Sequence, residues 1–268
     1  MDSRIARRFL QTHPRESARV LERLNVKDVA SFFGDVDVEY GVRVLSAFLP
    51  ADAARVVAEM PAEVAGEILS ALGPQPASAV LRLLDKDTRE RCVERLRPEA
   101  RSAAKKMLRF PPSSAGAMME PRVVSFRESR TVGEALDEIR ANPRDVRFDI
   151  YVVDDDNVLR GVVSLRDLMT EPYESRLGSI MRTPVERLPA RAGVHAIVSH
   201  PAFRRLPRLP VVDERDRLVG VFLYETLQTL AAAGTESREE ASPLGLAMAL
   251  SELFWIGASG LVRGLETK

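Results

Sequence analysis

The chain has 268 residues, 45% of them hydrophobic and 29% charged, which is material for two or three globular units. Its 39 basic and 39 acidic side chains balance, so no global charge points to nucleic acid or to an anionic membrane surface. A single cysteine, Cys92, excludes a disulfide framework and a thiolate zinc site. With no basic-plus-apolar leader at the start, a reducing cytoplasmic compartment is expected.

The first third repeats every twelve residues. Adjacent apolar pairs fall at Val20-Leu21, Phe32-Phe33, Val44-Leu45, Val56-Val57, Ile68-Leu69, Val80-Leu81 and Cys92-Val93. A further apolar residue follows each pair at one offset: Leu24, Val36, Phe48, Met60, Leu72, Leu84 and Leu96. The spacing i, i+1, i+4 predicts a single apolar helical face. Pro14, Pro50, Pro61 and Pro74 stand near the unit starts, where a missing N–H is harmless. Helices of about eight residues are marginal alone. They are therefore expected to stack as an all-α superhelical solenoid over residues 1–109, stabilised between nearest neighbours.

Pro111-Pro112-Ser113-Ser114 then signals a linker, 110–117. A second repeat follows, about sixty residues long. YVVDDDNVLRGVVSLRDLM from Tyr151 matches PVVDERDRLVGVFLYETLQ from Pro210. Each reads as strand, hairpin turn, strand with a glycine near its start, then helix. Upstream, AMMEPRVVSFRESRTVGEALDEI matches SIMRTPVERLPARAGVHAIVSH as a short strand, a turn and an amphipathic helix. The expectation is a multidomain α plus α/β chain, with β-α-β-β-α units at 118–176 and 177–233. A C-terminal segment, 234–268, holds an apolar helix.

The unit order resembles tandem CBS domains, as do the lead-in sequences Met118-Met119-Glu120-Pro121 and Met181-Arg182-Thr183-Pro184 and the V-V-D…L-x-G-V hairpins. Two CBS copies normally pack as one disc-like module. Short-repeat helices, an F-P-x-x-S-A-G-x-M-M segment from Phe110 to Met119 and a CBS pair together resemble the cytoplasmic region of MgtE-type magnesium transporters. That resemblance covers nearly the whole chain. It implies a non-enzymatic regulatory or adaptor role, a homodimer formed through the CBS pair and a membrane transporter as partner. It also implies ATP, AMP, ADP or Mg²⁺ as ligand, and a cytoplasmic location, free or at the inner membrane.

CBS modules that hold adenosine ligands usually carry G-h-x-[ST]-x-x-D, and Gly161-Val162-Val163-Ser164-Leu165-Arg166-Asp167 matches it. The resemblance implies that Asp167 accepts from ribose hydroxyls beside Ser164, with Arg166 near the phosphates; Arg204 and Arg205 are further cations. The same two residues also spell a capping box, Ser164 as N-cap and Asp167 as its partner, in a helical turn that favours an anion. Both readings stand at this point. The second copy has Leu223 and Thr226 at the matching positions, so its site is expected to be empty.

Mg²⁺ prefers an octahedron of oxygens with one or two carboxylates and retained waters. Asp85, Asp87, Glu90, Glu94 and Glu225 are the candidates, while Asp154, Asp155 and Asp156 read as turn formers. The family's acidic faces are otherwise largely replaced: the first helix region of the second copy, ARAGVHAIVSHPAFRRLPR, is basic or neutral. No G-x-S-x-G, H-E-x-x-H or P-loop string occurs, and His13, His195 and His200 form no local motif. No catalytic residue is assigned.

Leu244–Val262 is a nineteen-residue apolar run whose only charge is Glu252, about the length that crosses a ~30 Å hydrocarbon layer. The mid-helix carboxylate costs roughly 2.5–3.5 kcal/mol against about 0.3–0.6 kcal/mol gained per Leu, Ile or Phe. Three outcomes stay open: a single membrane anchor resembling the family's first membrane helix, a helix packed on a partner, or one folded back on the chain. An ion path needs several spans, so the chain alone is not expected to transport magnesium. A subunit or truncated form of a transporter and a ligand-free interaction scaffold are the alternatives to the regulatory reading.

Overall fold

The computed structural model describes residues 13–142 and 149–226. They fall into two compact units, one built on the chain up to Ser113 and the other on Ser114–Glu225. The apolar run 244–262 lies outside the described residues. Among the described residues no helix is long and apolar enough to cross a membrane.

The first unit is a run of short helices: α1 (Pro14–Leu21), α2 (Val26–Asp35), α3 (Val38–Leu45), α4 (Pro50–Glu59), α5 (Ala62–Leu72), α6 (Pro74–Leu83), α7 (Lys86–Arg95) and α8 (Pro98–Leu108). Proline opens α1, α4, α6 and α8 at the first turn, where its fixed φ is already helical. Side-chain caps open two others: Asn25 accepts from Lys27 N–H and Asp85 from Thr88 N–H. Each helix packs on the next but one, α1 on α3, α3 on α5 and α5 on α7, with α2, α4, α6 and α8 forming the second row. That is the stacking expected of units too short to bury an apolar face alone.

The twelve-residue pattern differs from its helical reading in one respect. The third apolar residue of several units is not on the helix. Val36, Met60, Leu84 and Leu96 are C-cap residues in extended conformation. Met60, Leu84 and Leu96 are buried, so the residue that turns the chain also carries its side chain into the core. The pairs Val44-Leu45, Val56-Val57, Ile68-Leu69, Val80-Leu81 and Cys92-Val93 are all buried in one continuous cluster. The first unit departs from the pattern: Val20 and Leu24 are more than half exposed. Ala18 is buried there instead. At the other end, the half-buried Arg82 donates to the carbonyls of Met107 and Phe110, closing the C-terminus of α8. Burial, with Arg89 nearby, lowers its pKa to about 10.

The second unit opens with α9 (Ala115–Met118), so Ser114 and the residues after it in the stretch read as a linker belong here. Then come β1 (Ser125–Arg127), α10 (Val132–Ala141), β2 (Ile150–Val153), β3 (Leu159–Val163), α11 (Leu165–Thr170) and α12 (Leu177–Ile180). The second copy supplies β4 (Leu188–Pro189), α13 (Val194–Val198), a 3₁₀ turn (Pro201–Arg204), β5 (Arg208–Val212) and β6 (Leu218–Leu223). The described strands form two sheets of the same order, β1-β2-β3 and β4-β5-β6, each with a parallel then an antiparallel pairing. Both antiparallel pairs shift register at matching places, Val152/Val153 and Val211/Val212.

The hairpin turns explain the aspartates. The Asp154 carboxylate accepts from the N–H groups of Asp156 and Val158, and that of Asp213 from Arg215 and Arg217. Asn157 and Asp216 then take left-handed conformations, at φ 64° and 57°. The two turns meet: Leu159 N–H donates to Asp216 C=O and Leu218 N–H to Asn157 C=O. A shared apolar core of Tyr151, Val153, Leu159, Val212, Leu218 and Val221 lies between the sheets.

The copies also exchange their lead-in segments. Glu120 bridges Val221 of β6, in the second copy, and Arg182 bridges Val162 of β3, in the first. The short helices cross over in the same way: Gly116 N–H donates to Ala190 C=O, and Gly178 N–H to Glu128 C=O. Glycine permits this approach. A Cβ at Gly161 would lie 2.5–2.7 Å from Met181 atoms, and one at Gly220 would lie 2.5 Å from Met119 Sδ and 2.7 Å from the Glu120 carbonyl oxygen.

Candidate functional site

Ser164 follows directly on β3 and caps α11, so the fold itself places the G-h-x-S-x-x-D residues at a strand-to-helix corner. The capping box is formed. Ser164 Oγ accepts from Asp167 N–H at 3.2 Å, and Asp167 Oδ2 accepts from Ser164 N–H at 2.9 Å. These bonds lower the Asp167 pKa, the backbone donor most, with Arg182 and Arg166 adding to it. The carboxylate is therefore ionised throughout the neutral range.

The cap does not exhaust Asp167. Its Oδ2 carries the capping bond and lies 3.3 Å from Arg182 Nη2, whereas Oδ1 takes no hydrogen bond among the described residues. Its side chain keeps 33% of its exposure. Structural cap and ligand acceptor are thus compatible uses of one carboxylate, because each oxygen has its own lone pairs. Arg166 is exposed one residue earlier on α11. The sequence reading missed Arg182. It lies one helix and two turns away in sequence, and only the exchanged lead-in brings it to Asp167. The aligned lead-ins were the available signal: Arg182 stands where the other copy has Glu120.

At the corresponding corner of the second copy, Leu223 ends β6 and residues 224–226 begin a helical turn. Leu223 has no polar atom for a cap or a ribose. Glu120 bridges the strand there and lies 3.8 Å from Arg122. Arg205 faces Glu186 at 3.4 Å, and Arg204 belongs to the 3₁₀ turn. His200 accepts from Ala202 N–H through Nδ1, a capping role.

The metal candidates are not brought together. Asp85 is the N-cap of α7, its pKa lowered chiefly by the Thr88 N–H, and Asp87, Glu90 and Glu94 are exposed along the same helix. Glu225 is exposed in the other unit. Among the described residues no three His, Cys, Asp or Glu side chains are grouped to hold a metal ion. Asp154 is engaged by its turn and by Arg160 at 2.8 Å, and Asp155 pairs with Arg127 at 2.8 Å.

Comparison with known proteins finds relatives of both parts of the chain. Residues 12–113 match the MgtE intracellular N domain and residues 115–174 the CBS domain. A magnesium transporter MgtE of Thermus thermophilus is 35% identical over 133 residues, 48% of this chain and 30% of that protein. The chain thus spans under a third of the curated MgtE relatives it matches. The crystal structure of the cytosolic domain of the Mg²⁺ channel MgtE in complex with ATP is similar at TM-score 0.56 and 28% identity, over 78% of this chain and 91% of that one. The soluble part of a magnesium transporter shares the fold at TM-score 0.59 and 20% identity, over 85% and 95%. Residues 12–113 are thus an MgtE intracellular N domain and residues 115–174 a CBS domain, and the chain is similar in fold and sequence to the cytosolic domain of the Mg²⁺ channel MgtE.

Proposed function

We propose that the chain is a ligand-responsive regulatory module of a magnesium transport system, binding an adenine nucleotide at the first CBS copy. The carrying observation is Asp167. It is ionised, partly exposed and capped through one oxygen, with the other free of hydrogen bonds among the described residues. A vicinal diol supplies two donors to such a carboxylate, and charge-assisted bonds of this kind are stronger than neutral ones. Ser164 fixes the corner, and Arg166 stands ready for phosphate. The similarity to an MgtE cytosolic domain crystallised with ATP supports the choice of ligand.

In this reading the module works on the cytoplasmic face with a membrane transporter as partner, as a homodimer through its CBS pair, and performs no chemistry. Mg²⁺ is the second ligand to test. Its candidate carboxylates, Asp85, Asp87, Glu90, Glu94 and Glu225, rest on family likeness and not on a gathered site.

Thermal melting of the whole chain with ATP, ADP, AMP or Mg²⁺ tests the proposal. A ligand at 100 times its dissociation constant adds about 2.7 kcal/mol to stability. A rise in melting temperature with a nucleotide, absent in Asp167→Ala, supports the reading. No shift with any nucleotide at millimolar concentration overturns it.

A further inference from the structure

The two lead-in segments hold the same register position with opposite charge. Arg182 exchanges backbone hydrogen bonds with Val162, its N–H donating at 2.9 Å and its C=O accepting at 3.2 Å. Glu120 does the same with Val221, at 2.8 and 2.9 Å. Val162 and Val221 each follow the glycine of their hairpin. The lead-in residue therefore flanks each copy's strand-to-helix corner. In one lead-in its side chain is a guanidinium 3.3 Å from Asp167 Oδ2; in the other it is a carboxylate 3.8 Å from Arg122.

We propose that Arg182 is the specificity-determining residue of the first corner, selecting nucleoside phosphates over uncharged nucleosides. The inference rests on the nucleotide reading of Asp167. The backbone of Arg182 is fixed by two hydrogen bonds, while its side chain is 63% exposed. Its charge is thus held at the site by the sheet and its guanidinium is free to turn. Without ligand it neutralises Asp167. When a diol takes the carboxylate, the guanidinium turns to the phosphate, for which its planar fork is suited. An uncharged nucleoside offers no such exchange. It must compete with Arg182 for Asp167 and receives nothing from it in return.

Titration calorimetry with adenosine and with ATP decides this, on the wild-type chain and on Arg182→Ala, Arg182→Lys and Arg182→Glu. The wild type is expected to prefer ATP by at least about tenfold, the scale of one charge-assisted contact. Arg182→Ala removes most of that preference, with adenosine affinity unchanged or improved. Arg182→Lys keeps part of it, and Arg182→Glu, which copies the second corner, inverts it. The side chain is exposed, and a melting curve for each variant confirms folding. An ATP-to-adenosine ratio unchanged in Arg182→Ala overturns the inference, as does equal loss of both ligands or a wild type without preference for ATP. A wild type that binds neither ligand overturns the nucleotide reading and this inference with it.

Discussion

The two CBS copies share sheet order, register shift, turn chemistry and an exchanged lead-in, yet only the first has a Ser–Asp capping pair at its strand-to-helix corner. Backbone architecture and site chemistry are therefore separable. The pairing of the copies needs apolar faces, glycines at the crossing points and aspartates in the turns, and both copies have them. The proposed ligand chemistry needs Ser164, Asp167 and a cation, and the second copy has Leu223, Thr226 and Glu120 instead. A degenerate partner is still required structurally, because it supplies Arg182 to the first copy's corner and receives Glu120 in its own.

The largest expected effect breaks the symmetry. Asp167→Ala should weaken nucleotide binding by roughly 1.5–3 kcal/mol, the worth of hydrogen bonds to a charged group. Thr226→Ala should leave binding within about twofold, well under the tenfold that 1.4 kcal/mol represents. Calorimetry on the two variants checks both.

Gly161→Ala and Gly220→Ala should instead behave alike. Each inserts a methyl against the lead-in of the other copy, and overpacking of this kind costs about 1–3 kcal/mol. Urea midpoints at constant slope would measure it. A large loss at one glycine and none at the other would show that the copies are not held equivalently.

The left-handed turn residues give a smaller, uneven effect. Asn157→Ala and Asp216→Ala should each lose about 1 kcal/mol of stability from the unfavourable φ. Asn157→Ala should lose more, since its Nδ2 also donates to the Leu218 carbonyl at 2.8 Å. Substitution by glycine restores the conformation and isolates that bond.

Acid titration is the gentlest probe. Asp154 and Asp167 have lowered pKa values, the first held chiefly by Val158 N–H and the second by Ser164 N–H. A carboxylate whose folded pKa lies below its unfolded value, about 3.9, contributes stability that is fully present above that value. It is lost as pH falls through the folded pKa. Melting temperature should therefore be flat with respect to these groups from pH 5 to 7 and drop below pH 4, the drop being shallower in Asp167→Asn.

Much of this was legible as periodicity. The twelve-residue pairs reach one core from Phe33 to Val93 because adjacent apolar residues recur at helical spacing regardless of what they touch. The hairpins were legible because turn aspartates act locally. Two things were not. The extended C-caps at Met60, Leu84 and Leu96 satisfy the same spacing as a helical residue, so pattern alone cannot distinguish them. The pairing of Arg182 with Val162 joins residues twenty apart across two helices, and it follows from the exchange of lead-ins, a property of the pair and not of either copy. The capping box and the nucleotide motif use the same residues, and only the division of labour between the two oxygens of Asp167 separates them.

The most direct measurement of the central claim is the stoichiometry of ATP binding to the intact chain by calorimetry. The asymmetry of the two corners predicts one ATP per chain, abolished or strongly weakened in Asp167→Ala. Two equivalent ATP per chain, or one that survives Asp167→Ala unchanged, would contradict it.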